Sequence, residues 1–252
     1  MHNITYAINN GKYNTKHVLK NVSWQLEKGQ RVGVLSRSMQ EAQSFLYCAS
    51  GVSTPQAGIV SIRANVSWPL GAKGGTSSSL SGRQNAKFLQ GVYGHGGKHL
   101  RDLNNINWLA SLGNYFDEPL KSYNKTMLSR FYLAIPLVFD FDVYIIPQQN
   151  PLKANTLSEK NLRLQKALKD QTFGKSLLMT NNDFSFLGQF CNEGIVLNQG
   201  SIAYSGSFSD CRAWYEANIS KAPEEDIDLK LDPEETVPTT ELESDILEDD
   251  LW

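Results

Sequence analysis

Val143-Tyr-Ile-Ile146, Leu157-Ser-Glu-Lys-Asn-Leu-Arg-Leu-Gln-Lys-Ala-Leu-Lys-Asp170 and Leu177-Leu-Met179 read in succession as a strand, a helix and a strand. The two short runs have no polar face, which is the pattern of strands covered on both sides. Between them Leu162, Leu164 and Leu168 are expected to point inward from an amphipathic helix. Two buried strands joined by a helix make a parallel pair, because only a crossover of that length brings the chain back to the same edge. Downstream, Phe184 to Phe190 reads as helix, and Ile195 to Leu197 and Ser201 to Tyr204 as strands. Upstream, Val32-Gly-Val-Leu35 repeats the buried-strand pattern and leads to a helix from Gln40 to Ser50, with Phe45, Leu46 and Ala49 on one side. The fold class is α/β, with a mostly parallel core sheet.

The ends and the middle differ from this core. Near the N-terminus, Ile4 to Ile8 reads as a strand, and Val22-Ser-Trp-Gln-Leu26 alternates like a half-buried strand before a turn at Glu27 to Gln30. Ile59 to Arg63 and Asn65 to Trp68 complete an N-terminal β-subdomain. Gly71 to Gly82 is rich in Gly and Ser and is read as a loop. Helices follow over Arg83 to Tyr93 and Leu100 to Leu112, parted by Gly94-His-Gly-Gly97, and then over Lys125 to Phe139, where Pro136 is expected to kink or shorten the helix. The block from about 83 to 139 is read as a helical insertion within one domain spanning residues 1–222.

Charge divides the chain. From Pro223 onward there are thirteen carboxylates and one cation, Lys230, so the body before it carries ten more cations than acids although the whole chain is only −2. A core-forming pattern is absent from 223–252, which is read as a disordered acidic tail; its Leu251-Trp252 end has the make-up of a docking motif. No apolar run is long enough to span a bilayer and the first ten residues do not read as a secretory signal. The three scattered cysteines, Cys48, Cys191 and Cys211, fit buried thiols in a reducing compartment rather than disulfides or a metal site. His95 and His99 have a spacing that would suit a metal only on a helix, and the surrounding glycines place them in a loop; no metal is expected. Trp68, Trp108 and Trp214 are read as packing residues. No nucleic-acid motif accompanies the basic body.

The words between these elements are specific. Val66-Ser-Trp-Pro-Leu-Gly-Ala-Lys-Gly-Gly75, Ser79-Leu-Ser-Gly-Arg-Gln-Asn-Ala-Lys-Phe88, Tyr115-Phe-Asp117 with Pro119, Lys121 and Tyr123, Met127 with Ser129-Arg130, and Phe139-Asp-Phe-Asp-Val-Tyr-Ile-Ile146 together resemble the ATP-binding subunits of ABC transporters, closest to exporters of capsular polysaccharide and related cell-surface glycans. The resemblance covers roughly residues 1–215. It implies a P-loop NTPase fold, a dimer, a permease subunit and possibly an active cassette subunit as partners, and a cytoplasmic place at the inner face of the inner membrane. In this family the region around Ser79 to Phe88 lies near the permease contact.

The resemblance also implies where ATP and Mg²⁺ would be held, and those positions are altered. A phosphate loop needs glycines that let the backbone wrap the phosphates, a Lys that pairs with them and a hydroxyl on Mg²⁺. By alignment Ser36, Met39 and Glu41 stand at the glycine positions, Ala42 at the Lys, and Gln43, followed by Ser44, at the hydroxyl. Glu41 would add a repulsion on the order of 4 kcal/mol per phosphate charge at about 4 Å and an effective dielectric of 20. Arg37, Ser38 and Ser44 are the residues left for any rescued anion site. Pro147 and Gln148 stand where a metal-organising Asp and a general-base Glu belong, and neither accepts a proton. The signature loop reads Asn124-Lys125-Thr126, the Q-loop Gln is Ser77, and the switch His is Asn182. No cofactor is therefore expected, with ATP and Mg²⁺ bound only if the altered site still takes them. Three roles follow: a non-catalytic subunit of a glycan exporter, a cassette fold repurposed as a soluble regulator or scaffold of capsule biosynthesis, or an ATPase with non-standard motifs.

Overall fold

The computed structural model describes residues 1–9, 15–93, 103–148 and 158–219. His95, His99 and the rest of residues 94–102, including the start of the helix expected from Leu100, lie outside them, as does the acidic tail. Two sheets organise the chain. The first is antiparallel, in the order β2-β1-β4, from β1 (His2–Asn9), β2 (Thr15–Val22) and β4 (Ala57–Ile59). The second runs β5-β6-β3-β7-β8, from β3 (Arg31–Ser36), β5 (Val143–Ile146), β6 (Ser176–Thr180), β7 (Glu193–Asn198) and β8 (Ser201–Ser207). Its first four strands are parallel, and β8 returns antiparallel to β7.

Strand alternation divides the core. Val32, Val34, Val143, Ile145, Leu178, Ile195 and Leu197 face one side, where they meet Phe45 and Leu46 of α1 (Met39–Ala49) and Ile4 and Leu19 of the antiparallel sheet. Leu35, Tyr144, Ile146, Leu177, Met179 and Val196 face the other, against α5 (Glu159–Gln171), the short α6 (Phe184–Leu187) and α7 (Phe208–Asn218). Leu164 and Leu168 are buried from α5 as expected, but Leu162 is not: it is 47% exposed, on the face turned away from the sheet.

Several boundaries differ from the sequence reading. The strand expected at Val22 to Leu26 is displaced: β2 ends at Val22, and Trp24 holds its place by donating its N–H to the Met1 carbonyl. Ile59 to Arg63 reduces to the end of β4. The segment from Val66 is an irregular companion to β5, with Ser67 N–H to the Val143 carbonyl, Leu70 N–H to the Ile145 carbonyl, and Ile145 N–H to Ser67 Oγ. It covers the outer edge of β5 without forming a regular ladder. Helix α7 has no counterpart in the sequence reading. It packs closely because Gly33 and Gly194 lack a Cβ: one on Gly194 would lie 2.9 Å from Cys211 Cβ.

The helical block contains α2 (Gly82–Tyr93), α3 (Asn104–Ala110) and α4 (Lys125–Ala134). Pro136 ends the expected long helix, and residues 136–138 form one 3₁₀ turn. Trp68 is buried among Tyr93, Phe139 and Phe141, whereas Trp108 is 57% exposed beneath the Arg163 guanidinium, 4.3 Å from its ring centroid, and Trp214 stacks on Tyr204.

Candidate functional site

In an open parallel sheet, ligands bind outside the carboxyl ends of the strands. Here that edge is formed by Ser36 of β3, Pro147 and Gln148 after β5, and Asn181 and Asn182 after β6. Because Ile146 pairs with Met179, the chain leaves β5 and β6 at the same level. The fold therefore brings together three of the five positions singled out in the sequence. Ser77 and Asn124 belong to other elements, the loop leading to α2 and the start of α4.

The junction of β3 and α1 is short. Only Arg37 and Ser38 separate them, so Met39, Glu41, Ala42, Gln43 and Ser44 are all helical. Ser38 is the N-cap, its Oγ accepting the Glu41 N–H at 3.3 Å. Glu41 is 5% exposed. One of its oxygens accepts the Ser36 hydroxyl and the other the backbone N–H of Gly200. Ser36 Oγ in turn accepts the Ser38 N–H at 3.1 Å. Ser38 and Glu41 are the two members of a capping box, with Ser36 relaying the return bond from the carboxylate to the cap's own N–H. Burial pushes the Glu41 carboxyl up from its ordinary value, while Ser36, Gly200, Lys20 and Lys16 favour its charged form.

Gly200 lies in the two-residue turn between β7 and β8. Gln199 and Gly200 both have positive φ, +52° and +89°, the geometry of a hairpin turn that matches strand twist. Its N–H meets Glu41 and its carbonyl accepts the Lys20 N–H at 2.7 Å. One glycine thus ties α1 to β2 through the hairpin. Ala42 is fully buried with Phe45, Leu19 and Ile4, and Ser44 is 6% exposed. The Ser36 hydroxyl and the Gly200 N–H satisfy the Glu41 carboxylate, so Glu41 is an internal ligand and does not project as the open repulsive charge anticipated from the sequence.

Opposite this junction, Pro147 is buried and Gln148 half-buried, its Oε1 enclosed with no hydrogen-bond partner among the described residues. Asn181 is buried and accepts the Asp183 N–H through Oδ1, whereas Asn182 is exposed. Ser77 is held by Asn85, which is 1% exposed: Asn85 Oδ1 accepts the Ser77 N–H at 2.8 Å, and Nδ2 donates to the carbonyls of Ser77, Leu80 and Ser81. Asn124 caps α4, accepting the Met127 N–H at 2.9 Å, with Lys125 and Thr126 exposed beside it. Among the described residues no group of three His, Cys, Asp or Glu is placed to hold a metal ion.

Several of the segments that carry the resemblance meet one another in space. Arg83 grips Asp117 with Nε to Oδ1 at 2.6 Å and Nη2 to Oδ2 at 3.2 Å, over the Phe116 ring. Gly82 lets Phe116 and Tyr123 approach, since a Cβ there would lie 2.4 Å from Tyr123 Oη. Arg130 is buried and donates to the Ala110 carbonyl at 2.7 Å, joining α4 to the end of α3.

The architecture matches solved cassettes. It aligns with a dimeric post-hydrolysis structure of the ATP-binding cassette MJ0796 bound to ADP and Pi at TM-score 0.64, with 15% identity, covering 82% of this chain and 97% of that one. A second match, an ATP-binding subunit of an ABC transporter, gives TM-score 0.63 at 14% identity over 85% and 92%. The fold is that of an ABC cassette. No family model matches the chain. Its homologues are capsule and polysaccharide export ATP-binding proteins: the polysialic acid transport protein KpsT of Escherichia coli (28% identical, covering 74% of this chain and 82% of KpsT), BexA of Haemophilus influenzae (29%, 75% and 87%) and the capsule polysaccharide export protein CtrD of Neisseria meningitidis (28%, 73% and 82%).

Neither the Glu41–Gly200 tie nor the clasp of Asn85 on Ser77 was singled out in the sequence. The Ser38-Met-Gln-Glu41 spacing carried the signal for the first, because S-x-x-E before an apolar run is a helix-start signature.

Proposed function

We propose that the chain is a cassette subunit of a polysaccharide-export ABC complex that does not hydrolyse ATP, and that it acts as a structural or regulatory partner of a permease at the cytoplasmic face of the membrane. The export role is supported by its homologues. The domain spans residues 1–222, with a helical subdomain at about 83–139 and an acidic tail beyond. The loss of catalysis rests on one observation above all: where a phosphate loop would open, α1 starts at Met39 under a Ser38 cap, with Glu41 bound inward to Ser36 and Gly200. Such a junction has its Ser38 hydroxyl and Glu41 carboxylate already bonded, offers no ammonium from Ala42, and shares its sheet edge with Pro147, Gln148 and Asn182 where proton acceptors and a switch imidazole would be needed. Ser77, Gln43, Ser44, Asn124, Lys125 and Thr126 extend the loss to the remaining stations. Among the described residues no helix is long and apolar enough to cross a membrane. The α2 region is the candidate for contact with the permease.

Titration with Mg-ATP, followed by calorimetry and by melting, tests the claim against an intact homologue. A site filled to a hundred times its dissociation constant stabilises a fold by about 2.7 kcal/mol. Neither heat nor a melting shift is expected for this chain. A saturable shift would remove the non-catalytic reading.

A further inference from the structure

The donors that converge on Glu41 come from three elements. Ser36 closes β3, Gly200 sits in the β7–β8 turn, and the cations Lys20 and Lys16 approach from β2. A hydroxyl, a backbone N–H and flanking positive charge form the kind of setting that oxyanions occupy. The anion that fills it here belongs to the chain and comes from the first turn of α1, where a carboxylate also suits the helix dipole. We propose that Glu41 is a built-in anion: its carboxylate occupies an oxyanion position made by Ser36 Oγ and the Gly200 N–H, and this contact holds the β3–α1 junction closed. The position takes a small carboxylate or a phosphate oxygen once Glu41 is removed. The inference deepens the reading of this junction as one that takes no nucleotide phosphate, and it rests on that reading.

The alternatives within the same edge carry less. The unpartnered Gln148 Oε1 and the buried Asn181 point to no ligand class, and the exposed aromatic residues Trp108 and Phe173 have nothing near them that identifies a partner. The Glu41 contact alone has a complete set of named partners and a ligand chemistry.

Chemical rescue tests it. Glu41→Ala leaves Ser36 and Gly200 facing a small void, which formate fits. The melting temperature of this variant is expected to rise saturably, by several degrees, in sodium formate relative to sodium chloride at equal ionic strength. Wild type and Glu41→Gln, whose positions are filled, are expected to respond equally to the two salts. An Ala variant no more responsive to formate than wild type overturns the proposal. Should the Ala variant not fold, the Gly200 amide of the wild-type protein provides the reading by NMR: it is expected downfield and slow to exchange, and shifted upfield in Glu41→Gln. A Gly200 amide that exchanges like an open turn, and does not respond to Glu41→Gln, overturns the proposal as well. ATP binding by wild type would count against the non-catalytic reading alone, whereas failed rescue counts against the built-in anion alone.

Discussion

The Glu41 carboxylate accepts the backbone N–H of Gly200, a residue 159 positions further along the chain. Through it the start of α1, the β7–β8 hairpin and, by way of the Lys20 N–H on the Gly200 carbonyl, strand β2 form one unit. A buried carboxylate in this position makes stability depend on pH. Burial raises the Glu41 carboxyl above its ordinary value of 4.5. An acid raised by folding binds its proton more tightly in the folded state, so its favourable contribution is full below the unfolded value and declines as pH rises through the folded one. The opposing cations Lys16 and Lys20 and the bonds from Ser36 and Gly200 limit the shift without reversing it. Wild type is therefore expected to gain stability relative to Glu41→Gln as pH falls from 7 toward 4.5. Urea unfolding of both proteins across that range measures the difference, and a relative loss on acidification would show that the bonds from Ser36 and Gly200 and the nearby cations outweigh burial.

Asn85 provides a second test, independent of the sheet edge. Its amide closes the 77–81 loop with four bonds from a residue only 1% exposed. Truncation to Ala strands the Ser77 N–H and takes a second donor from three carbonyls that keep the backbone N–H groups of Leu80, Leu120 and Asn85, so Asn85→Ala is expected to cost on the order of 2 kcal/mol. Asn85→Asp keeps the shape but turns an acceptor toward three carbonyls, and is expected to be worse than Ala at neutral pH. Equal stability of the Asp variant and wild type would mean that the amide orientation is not what holds the loop.

The close seat of α7 predicts a ranking of two glycine substitutions. At Gly33 an added methyl meets the rim of the Phe208 ring at 2.7 Å, and a ring can turn. At Gly194 it meets Cys211 Cβ at 2.9 Å, one bond from the α7 backbone, and relief requires the helix itself to move. Both are expected to lose about 1–3 kcal/mol, the usual range for overpacking, with Gly194→Ala the larger. The reverse ranking, measured by thermal unfolding, would place α7 differently.

These elements also show what a single sequence exposes. The parallel core was legible because Val143–Ile146 and Leu177–Met179 are buried on both faces and carry no competing pattern. Strand β2 was not, because Val18 and Leu19 are buried side by side and the β1–β2 register shifts around Tyr6, which breaks the two-residue period. Helix α7 was missed because it buries little beyond Phe208 and Cys211, and relies on two glycines in other strands. At the candidate site the sequence singled out residues, of which Ser36, Pro147, Gln148 and Asn182 lie at one sheet edge, but it did not show their geometry. Glu41 read as a charge facing outward, and its partner Gly200 is recognisable only once the hairpin is folded.

The cysteines should behave as core atoms. Burial pushes the thiols of Cys48 and Cys191 up to about 12 and that of Cys211 to about 11. The thiolate is the reactive form, so at pH 8 the native protein is expected to leave an aromatic disulfide reagent unreacted, and the three thiols to appear together on unfolding. Rapid labelling of one thiol in the native state would show that its segment opens locally.

Ala42 tests whether the β3–α1 junction would accept a lysine. This position, read in the sequence as that of a phosphate-binding Lys, is fully buried in the cluster of Phe45, Leu19 and Ile4. In an open loop a Lys there would reach outward; in α1 it would carry an ammonium into an apolar cluster, where an unpaired charge is strongly disfavoured and the group sheds its proton or forces the helix apart. Ala42→Lys alone is therefore expected to lower stability by at least about 2 kcal/mol and to leave Mg-ATP unbound. If Ala42→Lys were as stable as wild type and bound nucleotide, the junction would be an open loop that merely lacks a cation, and the closed arrangement of Ser38, Glu41 and Gly200 would not be what prevents phosphate binding.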